Sequence, residues 1–136
     1  MRVTVNWAKT KLNQSWKKGC PQNGLTNGSL CYVLHRDKSN YTEALSKCIL
    51  EGGQLAPIPD RDTLPKVLEA FSQEPFYVDA HFDKTLEKWT TSTGKEVDFP
   101  TTDLEHKESQ GQCLYAFRSG YKQWYCHASF FYLCLF

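Results

Sequence analysis

Asn40-Tyr41-Thr42-Glu43-Ala44-Leu45-Ser46-Lys47-Cys48-Ile49, closed by Gly52-Gly53-Gln54-Leu55-Ala56-Pro57-Ile58, is the stretch that sets the frame of this chain. Asn40 with an acid three residues later is a helix start, because each side chain can satisfy the other's backbone N–H. Ala44, Leu45, Cys48 and Ile49 recur at helical spacing, and the glycine pair supplies the stop. Cys48 falls on the apolar stripe, so the helix packs against whatever carries its disulfide partner.

Working outward, the six cysteines are Cys20, Cys31, Cys48, Cys113, Cys126 and Cys134. They admit 15 pairings, which spacing does not resolve. Cys20-Pro21-Gln22-Asn23-Gly24 through Asn27-Gly28 is rich in turn residues and precedes a strand at Leu30–Leu34, so a Cys20–Cys31 bridge would pin a small hairpin. A Cys48–Cys134 bridge would tie early chain to late. No C-x-x-C or H-x-x-x-H spacing occurs, which argues against zinc. Three of the five asparagines, Asn13, Asn27 and Asn40, lie in glycosylation sequons. Both features point to an oxidising, extracellular setting. Residues 1–7 are too short and polar for a signal peptide, and no apolar run approaches a membrane span. The expectation is an excised extracellular domain with an added or internal start methionine, secreted or attached to a membrane only through a parent chain.

The chain has 136 residues, enough for a single core. Net charge is +1, which gives no overall signal for nucleic acid. Residues 1–31 carry Arg2, Lys9, Lys11, Lys17 and Lys18 without an acid, leaving 11 basic against 15 acidic residues elsewhere. This stretch reads as a solubilising leader, with an anion-binding arm as the alternative. Residues 1–19 are read as an N-terminal extension or linker and 20–136 as the domain. A second helix is expected from about Thr63 to Ser72, with Pro65 in its first turn. Short strands follow at Phe76–Val78, Trp89–Thr91, Val97–Phe99, Cys113–Phe117, Gln123–Cys126 and Phe130–Leu135. A polar loop at about Pro100–Gln112 separates two of them, long enough to be functional or disordered.

In these residues the chain resembles a C-type lectin-like domain of the long, six-cysteine form. The resemblance runs from Cys20 to Cys134. It rests on Cys20-Pro21, Cys31-Tyr32, the Tyr41–Cys48 helix, the Gly52–Ile58 segment, Trp89 leading to Gly94 and Phe99, Cys113, Trp124 with Cys126, and Tyr132-Leu133-Cys134. It implies an α+β fold with two helices, small antiparallel sheets, a long loop region and three disulfides. The implied pairing is Cys20–Cys31, Cys48–Cys134 and Cys113–Cys126. One departure stands out: the family's Trp-Ile-Gly-Leu core strand reads Tyr77-Val78-Asp79-Ala80 here, an acid in place of glycine.

Sugar-binding members resemble one another in a Glu-Pro-Asn or Gln-Pro-Asp loop and a Trp-Asn-Asp strand, whose oxygens hold calcium. Counted back from Cys126, the strand positions hold Tyr121, Lys122 and Gln123. The loop positions are best matched by Glu105, His106 and Lys107. A lysine in each set places a cation where oxygen is required, so no calcium or other metal site and no cofactor is expected. His35, His81, His106 and His127 lack ligand spacing. Trp124 is expected in the core. With all six thiols committed to disulfides, nothing argues for an enzyme.

The leading expectation is therefore an extracellular recognition module, taking a protein or glycan ligand without calcium. Its candidate contacts are Glu105, Lys107 and Glu108 on the loop, and Arg118, Tyr121, Lys122 and Gln123 on the following edge. For the loop residues a merely solvated loop is the equal alternative. The competing functions are a structural or dimerising adhesion domain and a divergent calcium-dependent lectin. An ice- or mineral-binding surface would want more threonines than Thr90-Thr91 and Thr101-Thr102.

Overall fold

A computed structural model describes residues 20–21, 23–71, 73–97, 111–118 and 120–136. Expectations for residues 1–19, including the Asn13 sequon, and for the loop residues Glu105, His106, Lys107 and Glu108 lie outside the described residues.

A hairpin opens the domain, with β1 (Leu25–Asn27) against β2 (Leu30–Ser39). Helix α1 (Tyr41–Leu50) starts at the capping box read from the sequence. Asn40 Oδ1 accepts from the Glu43 N–H at 2.8 Å, and the Asn40 N–H donates to the Glu43 carboxylate at 3.2 Å. The helix stops where Gly52 takes φ +94°, a left-handed conformation that glycine adopts at little cost. Gly53 then passes so close to Leu135 and Phe136 that a side chain at this position would collide with them. The glycine pair thus both ends the helix and seats it on the sheet.

β3 (Gln54–Leu55), α2 (Leu64–Phe71), β4 (Phe76–Asp83) and β5 (Lys88–Thr90) follow. Then come β6 (Cys113–Phe117), β7 (Gly120–Trp124) and β8 (Phe130–Leu135). The strands link into one sheet of order β1-β2-β8-β4-β6-β7, with β3 on β8 and β5 on β4. Only the β4–β8 pair runs parallel among the pairings described. Strand alternation sorts the core onto the two faces of this sheet. Tyr77, Tyr132, Cys113 and Cys134 pack with Tyr41, Ala44 and Cys48 of α1. Phe76, Val78, Leu114 and Leu133 pack with Val67 and Phe71 of α2.

The disulfides are Cys20–Cys31, Cys48–Cys134 and Cys113–Cys126, as the resemblance implied. On the α1 face a polar cluster adds to the Cys48–Cys134 bridge. Tyr132 donates to both oxygens of Asp37 at 3.1 and 3.0 Å, and Lys47 donates to Asp37 at 3.1 Å and to Ser39 at 2.7 Å. Partial burial works to raise the Asp37 pKa, but the hydrogen bonds from Lys47 and Tyr132 win and hold it below the ordinary carboxylate value.

Asp79, the acid that replaces glycine, is buried at 6% exposure and fully engaged. Its Oδ1 accepts from the Tyr41 hydroxyl and from the Ser92 N–H, and its Oδ2 from the Ser92 hydroxyl, each at 2.8 Å. Burial, and then the neighbouring carboxylate, push the Tyr41 pKa well above its usual value, so the phenol stays protonated and donating. The acid therefore ties α1 to the turn that follows β5. Asp79→Ala removes the acceptor of three donors, the Tyr41 hydroxyl and the Ser92 N–H and hydroxyl, an expected loss of about 2–5 kcal/mol in urea denaturation. Asp79→Asn keeps Oδ1 and should lose clearly less. A loss below about 0.5 kcal/mol in the alanine variant would contradict this role.

Candidate functional site

The candidate face lies at the far edge of the sheet, where β6 and β7 form a hairpin. Cys113 pairs with Trp124 and Tyr115 with Lys122 across it, so Lys122 and Trp124 project on the same side. Lys122, Trp124, Tyr125 and His127 are exposed, with Trp124 at 45% and Tyr125 at 41%. The Trp124 and Tyr125 rings meet edge to face at 5.5 Å, and Tyr125 leads on to His127 at 5.7 Å. Exposed tryptophan and tyrosine side by side form an amphipathic contact surface.

Strand phase decides which of the expected contact residues reach it. Lys122 does. Tyr121 and Gln123 alternate to the opposite face. Tyr121 packs against the α2-side core, where burial and then Tyr32 raise its pKa. Gln123 is buried at 6%, with its amide nitrogen 3.4 Å from the Gly111 carbonyl. Both are corrected from ligand contacts to supports, because their side chains fill the interior beneath the edge. Arg118 is exposed at the β6–β7 turn with φ +57°, its guanidinium 4.9 Å above the Phe117 ring. Trp124, expected in the core, is corrected to the surface by the same alternation that buries Gln123.

Three ties hold the turn after β7. The Cys126 sulfur is bridged to Cys113, the Tyr41 N–H donates to the Cys126 carbonyl at 3.0 Å, and the Tyr77 hydroxyl reaches the carbonyls of Tyr125, Cys126 and Ala128. Burial pushes the Tyr77 pKa up to about 12, which keeps that donor protonated at physiological pH. Val97, the last described residue before Gly111, donates its N–H to the Trp89 carbonyl at 2.9 Å. Gly111 lies beside Trp124, with φ +97° and no room for a Cβ against the backbone of Trp124 and Tyr125. Of the expected strand at Val97–Phe99 only Val97 lies within the described residues, next to an isolated bridge between Glu96 and Thr90. The expected Gln123–Cys126 strand runs instead from Gly120 to Trp124.

Among the described residues the grouping of possible metal ligands is His35, Glu51 and Cys134. The Cys134 sulfur is consumed by the Cys48 bridge, and His35 and Glu51 contact each other at 2.8 Å, so the set is not a metal centre. At the positions counted back from Cys126 the donor set is a phenol turned inward, an exposed ammonium and a buried amide. A hard divalent cation requires oxygens converging on one point, and these groups do not supply them. The Ser92 hydroxyl donates to Asp79 and serves as a tie.

The family profile described as the lectin C-type domain matches residues 37–136. A curated relative, the C-type lectin lectoxin-Lio3 of Erythrolamprus poecilogyrus, is 31% identical over 88 residues, covering 60% of this chain. The match spans about half of that relative, at 55% of its length. Among solved structures, the mouse scavenger receptor C-type lectin carbohydrate-recognition domain superposes with a TM-score of 0.74 at 16% identity, over 87% of this chain and 98% of its own. Human lithostathine gives 0.73 at 20% identity, over 96% and 99%. A calcium-independent type II antifreeze protein gives 0.71 at 18% identity, over 87% and 94%. At these identities the structural matches establish the fold. None of the described helices is long and apolar enough to cross a membrane.

Gly111 makes the face testable. Gly111→Ala must either move β7 at Trp124 or abandon the left-handed conformation. It should cost at least about 1 kcal/mol of stability and increase Trp124 accessibility to acrylamide quenching. A variant with unchanged stability and quenching would show that the close approach does not hold this edge.

Proposed function

Because the chain belongs to the C-type lectin domain family, we propose that it is an extracellular recognition module that takes a protein or glycan ligand without calcium. Its contact face is the Lys122, Trp124 and Tyr125 edge, with the polar loop of about Pro100–Gln112 as a further contact. The observation that carries this reading is the swap at the edge itself. Lys122 stands where an oxygen ligand would be needed, and two exposed aromatic residues lie beside it. Charge repulsion excludes the cation, while stacking and hydrogen bonding remain available. That the same fold serves a protein named calcium-independent is consistent with this reading. A rigid disulfide-held scaffold presenting a contact edge is the usual physical form of such a module. No step of the proposal makes or breaks a bond. Three disulfides fit the oxidising compartment it assumes. Glu105, Lys107 and Glu108 are proposed as loop contacts of the same ligand, and Asn13, Asn27 and Asn40 as glycan carriers. At Asn40 the side-chain oxygen caps α1, leaving the nitrogen for a glycan.

Exposed Ile49 and Leu50, at 63% and 80% on the last turn of α1, favour a second reading as a dimerising adhesion domain. Binding to glycan and cell-surface protein arrays, with and without chelator, tests the first. The expected result is a chelator-insensitive signal that weakens about tenfold or more in Trp124→Ala and Lys122→Glu. Loss of the signal in chelator would contradict it. Sedimentation at micromolar concentration is expected to give a monomer, and a stable dimer dissociated by Leu50→Asp would establish the second reading.

A further inference from the structure

β2 and β8 lose register in a way that places two cations over one ring. His35 lies opposite Tyr132 and Ser39 opposite Phe130, so the intervening Arg36, Asp37 and Lys38 all face the single residue Phe131. An irregularity of this kind re-aims side chains that a regular ladder would spread along the strand. Alternation still holds within it. Asp37 turns to the α1 side, where Tyr132 and Lys47 occupy its carboxylate. Arg36 and Lys38 turn to the other side, with the guanidinium carbon 5.8 Å and the ammonium nitrogen 5.7 Å from the Phe131 ring centroid.

The only acid of the tripeptide is thereby neutralised on the opposite face. Among the described residues neither Arg36 nor Lys38 has a carboxylate partner. Both are exposed, and Phe131 is half-buried against the α2-side core, so the ring that positions them is itself fixed. Residues two apart on a strand stand about 7 Å from one another. Two like charges held at that spacing over an apolar ring form a prepared site for a ligand carrying more than one anionic group.

We propose that Arg36, Lys38 and Phe131 form a docking cradle for a sulfated polysaccharide, separate from the Lys122–Tyr125 edge and independent of its ligand. The polyanion matches the cradle because its sulfates repeat along a chain and can meet both cations at once. The disulfide-bonded setting places such polymers, and not nucleic acid, in reach.

The test uses heparin as probe and the full chain, including its basic residues 1–19, so that only differences between variants count. Arg36→Gln/Lys38→Gln is compared with Lys88→Gln/Lys95→Gln, an equal charge change at exposed lysines elsewhere. Removing the cradle charges is expected to weaken heparin binding about tenfold or more in 0.1 M salt. It should also lower the slope of log affinity against log salt by about two, one for each lost cation. The control pair is expected to change affinity by less than about threefold, as for charges outside the contact. The swap Arg36→Lys/Lys38→Arg keeps the charge and should retain binding, which separates the cradle from a folding defect. Fully desulfated heparin should not bind through these residues. Equal losses in cradle and control variants, or no heparin binding by the unmodified chain, would overturn the proposal. Binding to phosphatidylserine vesicles that depends on Arg36 and Lys38 as strongly as heparin binding does would overturn the polysaccharide assignment.

Discussion

The Cys48–Cys134 bridge is the constraint on which the rest of this molecule depends. It joins the apolar stripe of α1 to β8, and β8 lies inside the sheet between β2 and β4. Closing a loop with a sequence separation of 86 restricts the unfolded chain by about 4–5 kcal/mol in the chain-entropy description, from which native strain subtracts. The cysteines are fully buried, and around them Leu55, Tyr77 and Tyr132 form the α1-side core. Because β8 pairs with strands from both halves of the chain, the sheet cannot close before this late strand arrives. Such non-local pairing makes folding slow and the bridge correspondingly valuable.

From that centre, support passes outward to the edge proposed for recognition. Tyr77 sits on the β8-paired strand β4 and reaches across with its hydroxyl to the carbonyls of the turn after β7. Tyr41, the first residue of α1, grips the same turn through its backbone and Asp79 through its side chain. Asp79 in turn holds Ser92, just before the strand region that leads to segment 98–110. The face is therefore pre-organised by interior groups, while the groups on it are an ammonium and exposed aromatics. That arrangement suits association, in which ordering costs are met in advance.

Much of the frame was legible in the sequence because its signals are local or covalent. The capping box at Asn40 and Glu43 and the Gly52-Gly53 stop each depend on a few neighbouring residues, and the disulfide pairing followed from the resemblance to the C-type lectin-like domain, not from cysteine spacing. The edge was less legible. Counting back from Cys126 located the right strand, but a strand's phase follows from which face its neighbours bury. Tyr121 and Gln123 went inward and Trp124 outward for that reason, and a one-residue change of phase exchanges every side chain between faces. Asp79 could not be judged without its partners, since Ser92 and Tyr41 are distant in sequence. The Arg36–Lys38 irregularity was invisible too, because it is a mismatch of register between two strands and leaves no mark in either one alone.

Three disulfides and an eight-stranded sheet are kept here, while the positions that could ligate calcium hold Lys122 and the inward-facing Tyr121 and Gln123. A ligand that binds only the folded state stabilises it by RT ln(1 + L/Kd), with L its free concentration, and so raises the unfolding temperature. Thermal unfolding in 10 mM calcium and in chelator therefore tests the account most directly, at probe concentrations on the order of ten times a millimolar dissociation constant. The expected result is the same midpoint in both. A midpoint several degrees higher in calcium, rising with the logarithm of its concentration, would contradict a recognition fold that works without the ion.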